Sequence, residues 1–265
     1  MTRIAIIGWG ALAKRLHTLL RERQSSIVIA ALATRPDAVW PEDVPAGAVR
    51  LQSPDDLAGA GIDIVVEAAQ RSVVLPWGVA ALTHCRGFAL ASTSAFADDG
   101  VFDTLMQTAE RNNTRLLVPP GALGGIDALR AASALPLDLV CHTIIKPCAG
   151  WRGTEAERLC DLGALTAPQV FFEGSARDAA RRFPQNANVA AISALAGIGL
   201  ERTMVQLVAD PHAQRNAHVL RAEGAFGNFE IRLENRPLAG NPKTSELTVL
   251  AMLRMLENET GRLVI

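Results

Sequence analysis

Two glycines spaced one residue apart stand near the start of the chain, directly after a run of apolar residues. The stretch IAIIGWGALAKRL gives the pattern Gly8-x-Gly10-x-x-Ala13 between a predicted strand and a predicted helix. There Gly8 permits a tight turn and Gly10 lets the backbone approach a pyrophosphate, whose charge lies at the helix N-terminus near Ala11 and Leu12. Glycine pairs also mark many turns that bind nothing, but the βαβ context favours a dinucleotide site at these four positions.

The second half of that fingerprint is missing from the sequence. An acidic residue at the end of the second strand usually binds the ribose hydroxyls of NAD. Here the strand ends in ALATRPD, with Thr34 and Arg35 at the expected position and Asp37 too late. Arg35 either pairs with the 2′-phosphate of NADP or is a solvated loop residue. We therefore expect NAD or NADP as the cofactor.

Five histidines are candidates for proton transfer, because the ordinary pKa of histidine lies near neutrality. From its pattern alone, His218 is a strand residue on the solvent face of a β-hairpin. His212 follows a proline in a turn, and His17, His84 and His142 have no neighbour at metal-ligand spacing. The four cysteines show no C-x-x-C spacing, so we expect free thiols in a cytoplasmic protein and no metal.

The elements that must position these residues alternate clearly in the first half of the chain. The predicted strands are RIAIIG, IVIAALA, IDIVVEAA, GFALAST and TRLLVP. Amphipathic helices lie between them, such as residues 11–23 with Leu12, Leu16, Leu19 and Leu20 on one side. This alternation predicts a Rossmann-type parallel sheet with right-handed crossovers, over residues 1–118.

The spacing changes after the Pro-Pro-Gly break at residues 119–121. Strands with two-residue alternation follow, and AHVLRAEGAF and NFEIRLENRP predict a hairpin around Gly224 and Gly227. Helices are predicted at 176–182, at 189–198 and over NPKTSELTVLAMLRML, with Thr244 or Ser245 near the start of the last. The predicted fold class is α/β, with a Rossmann-type domain followed by a second domain of α+β type.

Composition limits the kinds of partner that the chain can have. It has 265 residues, of which 49% are hydrophobic, and a formal net charge of −1. This balance excludes a disordered chain and argues against nucleic acid as a partner. The strand pattern begins almost at once, and the longest small-apolar stretch is too short to span a bilayer. We therefore expect neither a signal peptide nor a membrane partner.

Longer signatures resemble the L-aspartate dehydrogenase family. They include FEGSARDAARRFPQNANVAAISALAG, EGAFGNFEIRLENRPLAGNPKTS, STSAFAD, PPGALGGIDALRAA and KPCAGWRGTEAE. The resemblance covers essentially the whole chain. It implies a homodimeric enzyme that oxidises L-aspartate with NAD or NADP to iminoaspartate, which yields oxaloacetate and ammonia or feeds NAD biosynthesis. It also implies a catalytic and dimerisation domain at 119–240 and a C-terminal helix, within 241–265, that packs on the first domain.

The resemblance also implies roles for individual residues. His218 matches the active-site histidine of the family, and Ala122 and Asn188 match its cofactor contacts. Asn188 is alternatively the N-cap of the helix that follows it. A dicarboxylate substrate requires cationic or N–H donors. Lys243 in the intact NPKTS signature, Asn216, and the helix-start amide of Thr244 are expected to supply them, with Lys146 and Arg152 as other candidates.

Three positions depart from the family pattern, and we expect all three near the active-site cleft. They are Pro120, Ser94 and Ile145, the last standing where an arginine is common. These departures keep two alternatives open. One is a related dehydrogenase with a different small acidic or amino-acid substrate, and the other is a catalytically silent nucleotide-sensing protein.

Overall fold

The computed structural model describes residues 1–35, 37–184 and 188–264, without the side chains of residues 242 and 243. The chain forms two compact units. Unit 1 contains Met1–Pro119 and Thr248–Ile265, and unit 2 contains Pro120–Leu247.

Unit 1 is built on a six-stranded parallel sheet in the order β3-β2-β1-β4-β5-β6. Its strands are β1 (Thr2–Ile7), β2 (Ile27–Ala33), β3 (Val49–Leu51), β4 (Ile64–Glu67), β5 (Gly87–Leu90) and β6 (Arg115–Leu117). This is the strand order of a doubly wound dinucleotide-binding fold, and it confirms the predicted Rossmann-type domain. The five predicted strands are all present, but the sequence did not predict β3. That strand has three residues, of which only Leu51 is buried, so it leaves no apolar run to detect.

Three helices connect these strands: α1 (Ala11–Glu22), α2 (Arg71–His84) and α3 (Val101–Asn112). α1 begins directly after the glycine turn and buries Ala13, Leu16, Leu19 and Leu20, which recur at helical spacing. α1 is therefore held along its length by one apolar side, and its first turn lies at the glycine turn.

Unit 2 contains a mixed five-stranded sheet in the order β11-β10-β7-β9-β8. Its strands are β7 (Leu137–Pro147), β8 (Gln169–Ser175), β9 (Met204–Asp210), β10 (Asn216–Gly224) and β11 (Gly227–Asn235). β7 and β9 are parallel, and the other neighbours are antiparallel. Gly224 pairs with Gly227, which leaves a two-residue turn and confirms the predicted hairpin.

Four helices belong to unit 2: α4 (Ile126–Ala132), α5 (Ala156–Leu159), α6 (Ala176–Arg182) and α7 (Asn188–Ala196). α7 is rich in alanine and buried almost all round, because small side chains let it pack closely within the unit. A cluster that includes Leu129, Val140, Ala196 and Leu220 joins α4 and α7 to the central strands of the sheet. The face that carries residues 140 and 220 is therefore the core face of the sheet.

The C-terminal segment differs from the prediction. Residues Asn241–Ser245 form strand β13, which pairs with β12 (Pro237–Leu238), and the last helix, α8, runs from Glu246 to Asn258. The predicted helix start at Thr244 or Ser245 is therefore wrong by one to two residues, because strand pairing holds these residues extended. Ser245 Oγ still accepts a hydrogen bond from the Leu247 amide, at 3.2 Å. No helix in the described part of the chain has the length and hydropathy needed to cross a bilayer.

The chain from Thr248 onward belongs to unit 1. Two acidic residues of this segment form ion pairs with other elements of unit 1. Arg23 Nε lies 2.7 Å from Glu257 Oε1, and Glu259 pairs with Arg86 and Arg115. Such surface pairs contribute little individually, typically about 0–1 kcal/mol. The larger contribution comes from the buried side chains of α8, which include Val249, Met252 and Leu256.

Candidate functional site

The glycine turn in unit 1 has the geometry that a dinucleotide requires. Gly8 has φ of +96°, and a Cβ there would lie 2.8 Å from both the Ala68 carbonyl oxygen and Ala69 Cβ. Gly10 is the N-cap of α1, and a Cβ built on it meets nothing within 4 Å. Gly8 is therefore required by the fold, whereas Gly10 faces open space at a helix N-terminus. This arrangement fits a pyrophosphate, with Ala11 and Leu12 supplying the first helix amides.

A buried carboxylate holds the chain beneath this turn. Glu67, the last residue of β4, accepts hydrogen bonds from the Ala69 amide at 2.8 Å, the Ser92 amide at 2.9 Å and the Ser92 hydroxyl at 2.9 Å. A longer bond from the Ala91 amide, at 3.2 Å, completes the set. Burial raises the pKa of Glu67, and these hydrogen bonds oppose that rise. Sequence analysis missed this residue, although an acidic side chain that ends an apolar strand was the available signal.

The loop after β2 is tied to the glycine turn. Trp9 Nε1 donates to Asp43 Oδ1 at 2.9 Å, and Lys14 Nζ lies 2.7 Å from Asp43 Oδ2. These residues border a cavity of about 610 Å³ along α1. Arg35 is exposed two residues beyond Ala33, whose carbonyl accepts from the Gly8 amide at 2.8 Å. Arg35 thus lies on the same edge of the sheet as the glycine turn.

His218 lies in the core of unit 2, and not on the solvent face that its residue pattern alone indicates. β10 runs between β11 and β7, so its alternate residues point into the core, and only 4% of His218 is exposed. Burial lowers the pKa of His218 well below 6.5, and the positive charge of Lys146 lowers it further. The imidazole is consequently neutral at neutral pH.

His142 has no partner at metal-ligand spacing in the sequence, but the fold places it beside His218. Its Nε2 lies 3.2 Å from His218 Nδ1, and its Nδ1 lies 3.1 Å from Ser193 Oγ. The two histidines are diagonal neighbours on β7 and β10, a contact that depends on strand register. No group of three or more histidine, cysteine or acidic residues that could hold a metal lies together in the parts of the chain described.

Two asparagines connect the histidine to the loop that contains Ala122. Asn216 is two residues before His218 and pairs across the ladder with Asn235, which sequence analysis did not identify. Asn235 is buried, and its Nδ2 donates to the Ala122 carbonyl at 2.9 Å. Three predicted residues, Ala122, Asn216 and His218, are thereby brought to one end of the sheet.

The same loop packs on the start of α7. A Cβ at Gly121, which has φ of +63°, would lie 3.0 Å from Ile192 Cδ1 and 3.8 Å from Val189 Cγ1. Since α7 begins at Asn188, the two predicted cofactor residues Ala122 and Asn188 lie in adjoining segments. Asn188 is at the helix N-terminus, so the capping interpretation and the cofactor interpretation are both compatible with its position.

A buried ammonium group shares the face of His218. Lys146, at the end of β7, is only 5% exposed, and its Nζ lies 5.3 Å from the centroid of the Trp151 ring. Ile145 precedes it and therefore points to the opposite face of the sheet. Its backbone pairs with Ala217, next to His218 on β10, while its side chain lies on the other face from the imidazole.

The remaining predicted substrate residues are on β13. Thr244 lies in the strand, where its Oγ1 accepts from Asn241 Nδ2 at 3.0 Å, so its amide does not open a helix. The side chain of Lys243 lies outside the described residues. Within unit 2, the structure therefore brings a neutral imidazole, an ammonium group and amide side chains together. This set can exchange a proton and bind a carboxylate.

Two family models match the chain. The model described as aspartate dehydrogenase, C-terminal, matches residues 127–259, and the model described as homoserine dehydrogenase, NAD binding domain, matches residues 8–119. The first match spans half of the chain and contains the histidine cluster.

Similar proteins cover the whole chain. L-aspartate dehydrogenase of Brucella anthropi is 52% identical over 262 residues, which is 99% of this chain and 98% of that protein. The enzyme of Polaromonas sp. is 42% identical over 268 residues and all of both chains. The crystal structure of aspartate dehydrogenase from Thermotoga maritima has a TM-score of 0.78 at 30% identity, covering 100% of this chain and 99% of that one. An archaeal homoserine dehydrogenase, at 14% identity and a TM-score of 0.59, shares the fold.

Proposed function

The chain belongs to the L-aspartate dehydrogenase family, and from this premise we propose how its residues divide the work of the reaction. The protein is an NAD- or NADP-dependent amino-acid dehydrogenase that oxidises L-aspartate. The substrate loses a hydride from Cα and a proton from its nitrogen to form iminoaspartate. Water then adds to the C=N bond, and ammonia leaves to give oxaloacetate. When bound, the cofactor supplies the acceptor for the hydride.

His218 is the proton-transfer residue in this proposal, and the observation that carries it is the burial of a neutral imidazole beside Lys146. A neutral ring accepts the proton that the substrate nitrogen must lose, and it returns a proton when ammonia departs. Exclusion of water from this part of unit 2 strengthens the charge interactions of the imidazole.

Lys146, Asn216, Lys243 and Thr244 hold the substrate. The ammonium group of Lys146 pairs with one carboxylate, and its position on the His218 face supports this role. The Asn216 amide lies two residues from His218 and donates to a second polar group of the substrate. For Lys243 and Thr244 the proposal rests on the NPKTS signature, and the amide of Thr244 would donate from strand β13 and not from a helix start.

Cofactor-binding roles are proposed for residues of each unit separately. Gly8, Gly10, Ala11 and Leu12 bind the pyrophosphate, and Arg35 contacts the adenosine ribose or its phosphate. Ala122 and Asn188 bind the nicotinamide end; the packing of their two segments supports a shared role.

We further propose a cytoplasmic homodimer that feeds NAD biosynthesis. The face of the unit 2 sheet opposite His218 supports the dimer, because it presents half-buried apolar side chains that a second copy would cover. These include Leu139, Cys141, Ile145 and Val219. Residues 119–240 then act as both the catalytic and the dimerisation domain.

Substrate choice is tested by following reduced-cofactor absorbance while single amino acids are offered with NAD or NADP. We expect turnover with L-aspartate, and at least about tenfold lower kcat/KM for alanine, because one buried carboxylate contact contributes about 1.5–3 kcal/mol. If the enzyme turned over a different amino acid and not L-aspartate, that amino acid would be the substrate and our assignment would be wrong. Cofactor binding without turnover of any amino acid would instead indicate a nucleotide sensor.

The role of Arg35 is tested by the Arg35→Ser variant. If its guanidinium contacts the 2′-phosphate, affinity for NADP falls about tenfold and affinity for NAD is unchanged, since only NADP carries that charge. Both affinities are measured at one ionic strength, because salt screens an exposed pair. Arg50, exposed on β3 and stacked on Trp40, provides a matched control in Arg50→Ser. Equal losses for both cofactors would remove Arg35 from the phosphate site.

A further inference from the structure

Three consecutive hydrogen bonds join the backbone of α7 to the ring of His218. Ser193 Oγ lies 3.0 Å from the Ala190 carbonyl oxygen and 3.1 Å from His142 Nδ1. His142 Nε2 then lies 3.2 Å from His218 Nδ1. The three side chains are all buried within unit 2, so water does not compete for these bonds.

The number of protons available to these three hydrogen bonds determines which atom donates and which accepts in each bond. A backbone carbonyl can only accept, so the Ser193 hydroxyl donates to Ala190, and its oxygen is left to accept from His142 Nδ1–H. A neutral His142 then has a lone pair at Nε2, which must accept from His218 Nδ1–H. In the reverse direction the Ser193 proton would point at His142, and two lone pairs would face each other 3.0 Å apart at the Ala190 carbonyl.

The condition that His142 is neutral is met in the folded protein. The ring is completely buried, and this burial lowers its pKa to about 3. His142 therefore carries one proton at every pH at which the enzyme would work. It cannot donate at both nitrogens.

We propose that Ser193 and His142 are positioning residues that keep the proton of His218 on Nδ1, so that Nε2 presents an unprotonated lone pair to the substrate. This inference rests on the proposed role of His218 in proton transfer. Neither residue touches the reacting atoms. They act by selecting the one neutral tautomer of His218 that can serve as a base at Nε2.

The selection matters because free neutral imidazole favours the opposite tautomer, which carries its proton on Nε2. A ring nitrogen that already holds a proton has no lone pair with which to accept another, so the tautomer protonated on Nε2 cannot act as a base at Nε2. In serine proteases a substitution that produces the wrong tautomer lowers kcat by about 10⁴-fold. Here a serine and a second histidine provide the orientation that a carboxylate provides in those enzymes.

The tautomers can be read directly by NMR of the full-length enzyme labelled with ¹⁵N-histidine, which gives only five ring systems. Long-range proton–nitrogen correlations distinguish a protonated nitrogen from an unprotonated one. The His142 and His218 signals are assigned by their loss in His142→Asn and His218→Asn. We expect both rings to carry their proton on Nδ1 at neutral pH. A His218 proton found on Nε2 would overturn the proposal.

The Ser193→Ala variant supplies the functional test, with Thr203→Val as its matched control. Thr203 is also fully buried in unit 2, but its hydroxyl has no hydrogen-bond partner among residues 1–35, 37–184 and 188–264. In Ser193→Ala, His142 Nδ1 loses its acceptor, so we expect the proton on both rings to move toward Nε2. We also expect kcat to fall at least about tenfold, with a much smaller change in KM. Thr203→Val should keep the wild-type tautomers and kcat.

The NMR result and the proposed function can fail separately. If Ser193→Ala leaves the tautomers and kcat unchanged, Ser193 does not direct His218, and this inference is wrong. If the predicted tautomers are found but His218→Ala retains full activity, the inference about the hydrogen bonds survives and the role of His218 in proton transfer does not.

Discussion

Replacing His218 by alanine is expected to lower kcat for L-aspartate oxidation by about 100-fold or more. The substrate nitrogen must lose a proton before Cα can give up a hydride, and in our proposal the buried, neutral imidazole of His218 takes it. Steady-state kinetics with saturating cofactor give this loss. Binding of NADH, followed by its fluorescence, should remain within about twofold, because the dinucleotide contacts proposed in unit 1 are untouched.

The matched control for that variant is His212→Ala. His212 is an exposed histidine of unit 2, whose Nε2 lies 3.0 Å from the Thr166 carbonyl, and it has no proposed role in proton transfer. We expect it to retain wild-type kcat. Near-normal turnover by His218→Ala would exclude His218 as the proton-transfer group, whatever its burial.

The low pKa of His218 also sets the direction of its pH effect. Because burial and the nearby charge of Lys146 hold this pKa well below 6.5, the base form persists as the pH falls through 6.5. Protonation of His218 should therefore not lower kcat until the solution is distinctly acidic. A loss of kcat centred at pH 6.5 and absent from the His218→Ala variant would contradict a depressed pKa.

Substituting Gly8 by alanine is the second change for which we expect a large effect. The alanine would have to adopt φ of +96° with its Cβ 2.8 Å from the backbone oxygen of Ala68. Strain of this kind costs about 1–3 kcal/mol, and the close contact adds to it. We expect a lower midpoint in thermal unfolding together with a loss of cofactor affinity of at least about tenfold.

The Gly10→Ala variant separates the loss of thermal stability from the loss of cofactor affinity. Its backbone has φ of −87°, and the added methyl group meets nothing within 4 Å, so the fold should tolerate it. In our proposal a pyrophosphate takes the space that this methyl group would occupy, so cofactor affinity should still fall. Thermal unfolding and cofactor titration on both variants give the comparison. Unchanged affinity in a stably folded Gly10→Ala enzyme would place the dinucleotide elsewhere.

The architecture of unit 1 could be predicted because its strands are buried on both faces and its helices are amphipathic. Both properties are local in sequence. β3 was not predicted because it has only three residues, of which only Leu51 is buried. The start of α8 was misplaced because pairing with β12 holds residues 241–245 extended, and helix propensity does not report such a partner.

The site was only partly predictable for a related reason. His218 was found through its family signature, whereas its burial depends on β10 being a central strand. His142 and Asn235 are 76 and 17 residues away from His218 along the chain, and each reaches its place through strand register. Register is set by the whole sheet, so no short motif reveals such neighbours.

The hydrogen bonds of Glu67 have a consequence for the energetics of cofactor capture. This carboxylate accepts hydrogen bonds from the segments that follow β4 and β5. Once the protein has folded, these bonds fix the backbone that supports Gly8. This support is already ordered before a dinucleotide binds at Gly8 as we propose, so binding does not have to order it. The chain loses the conformational entropy of these segments during folding. It therefore does not lose that entropy again each time a cofactor binds.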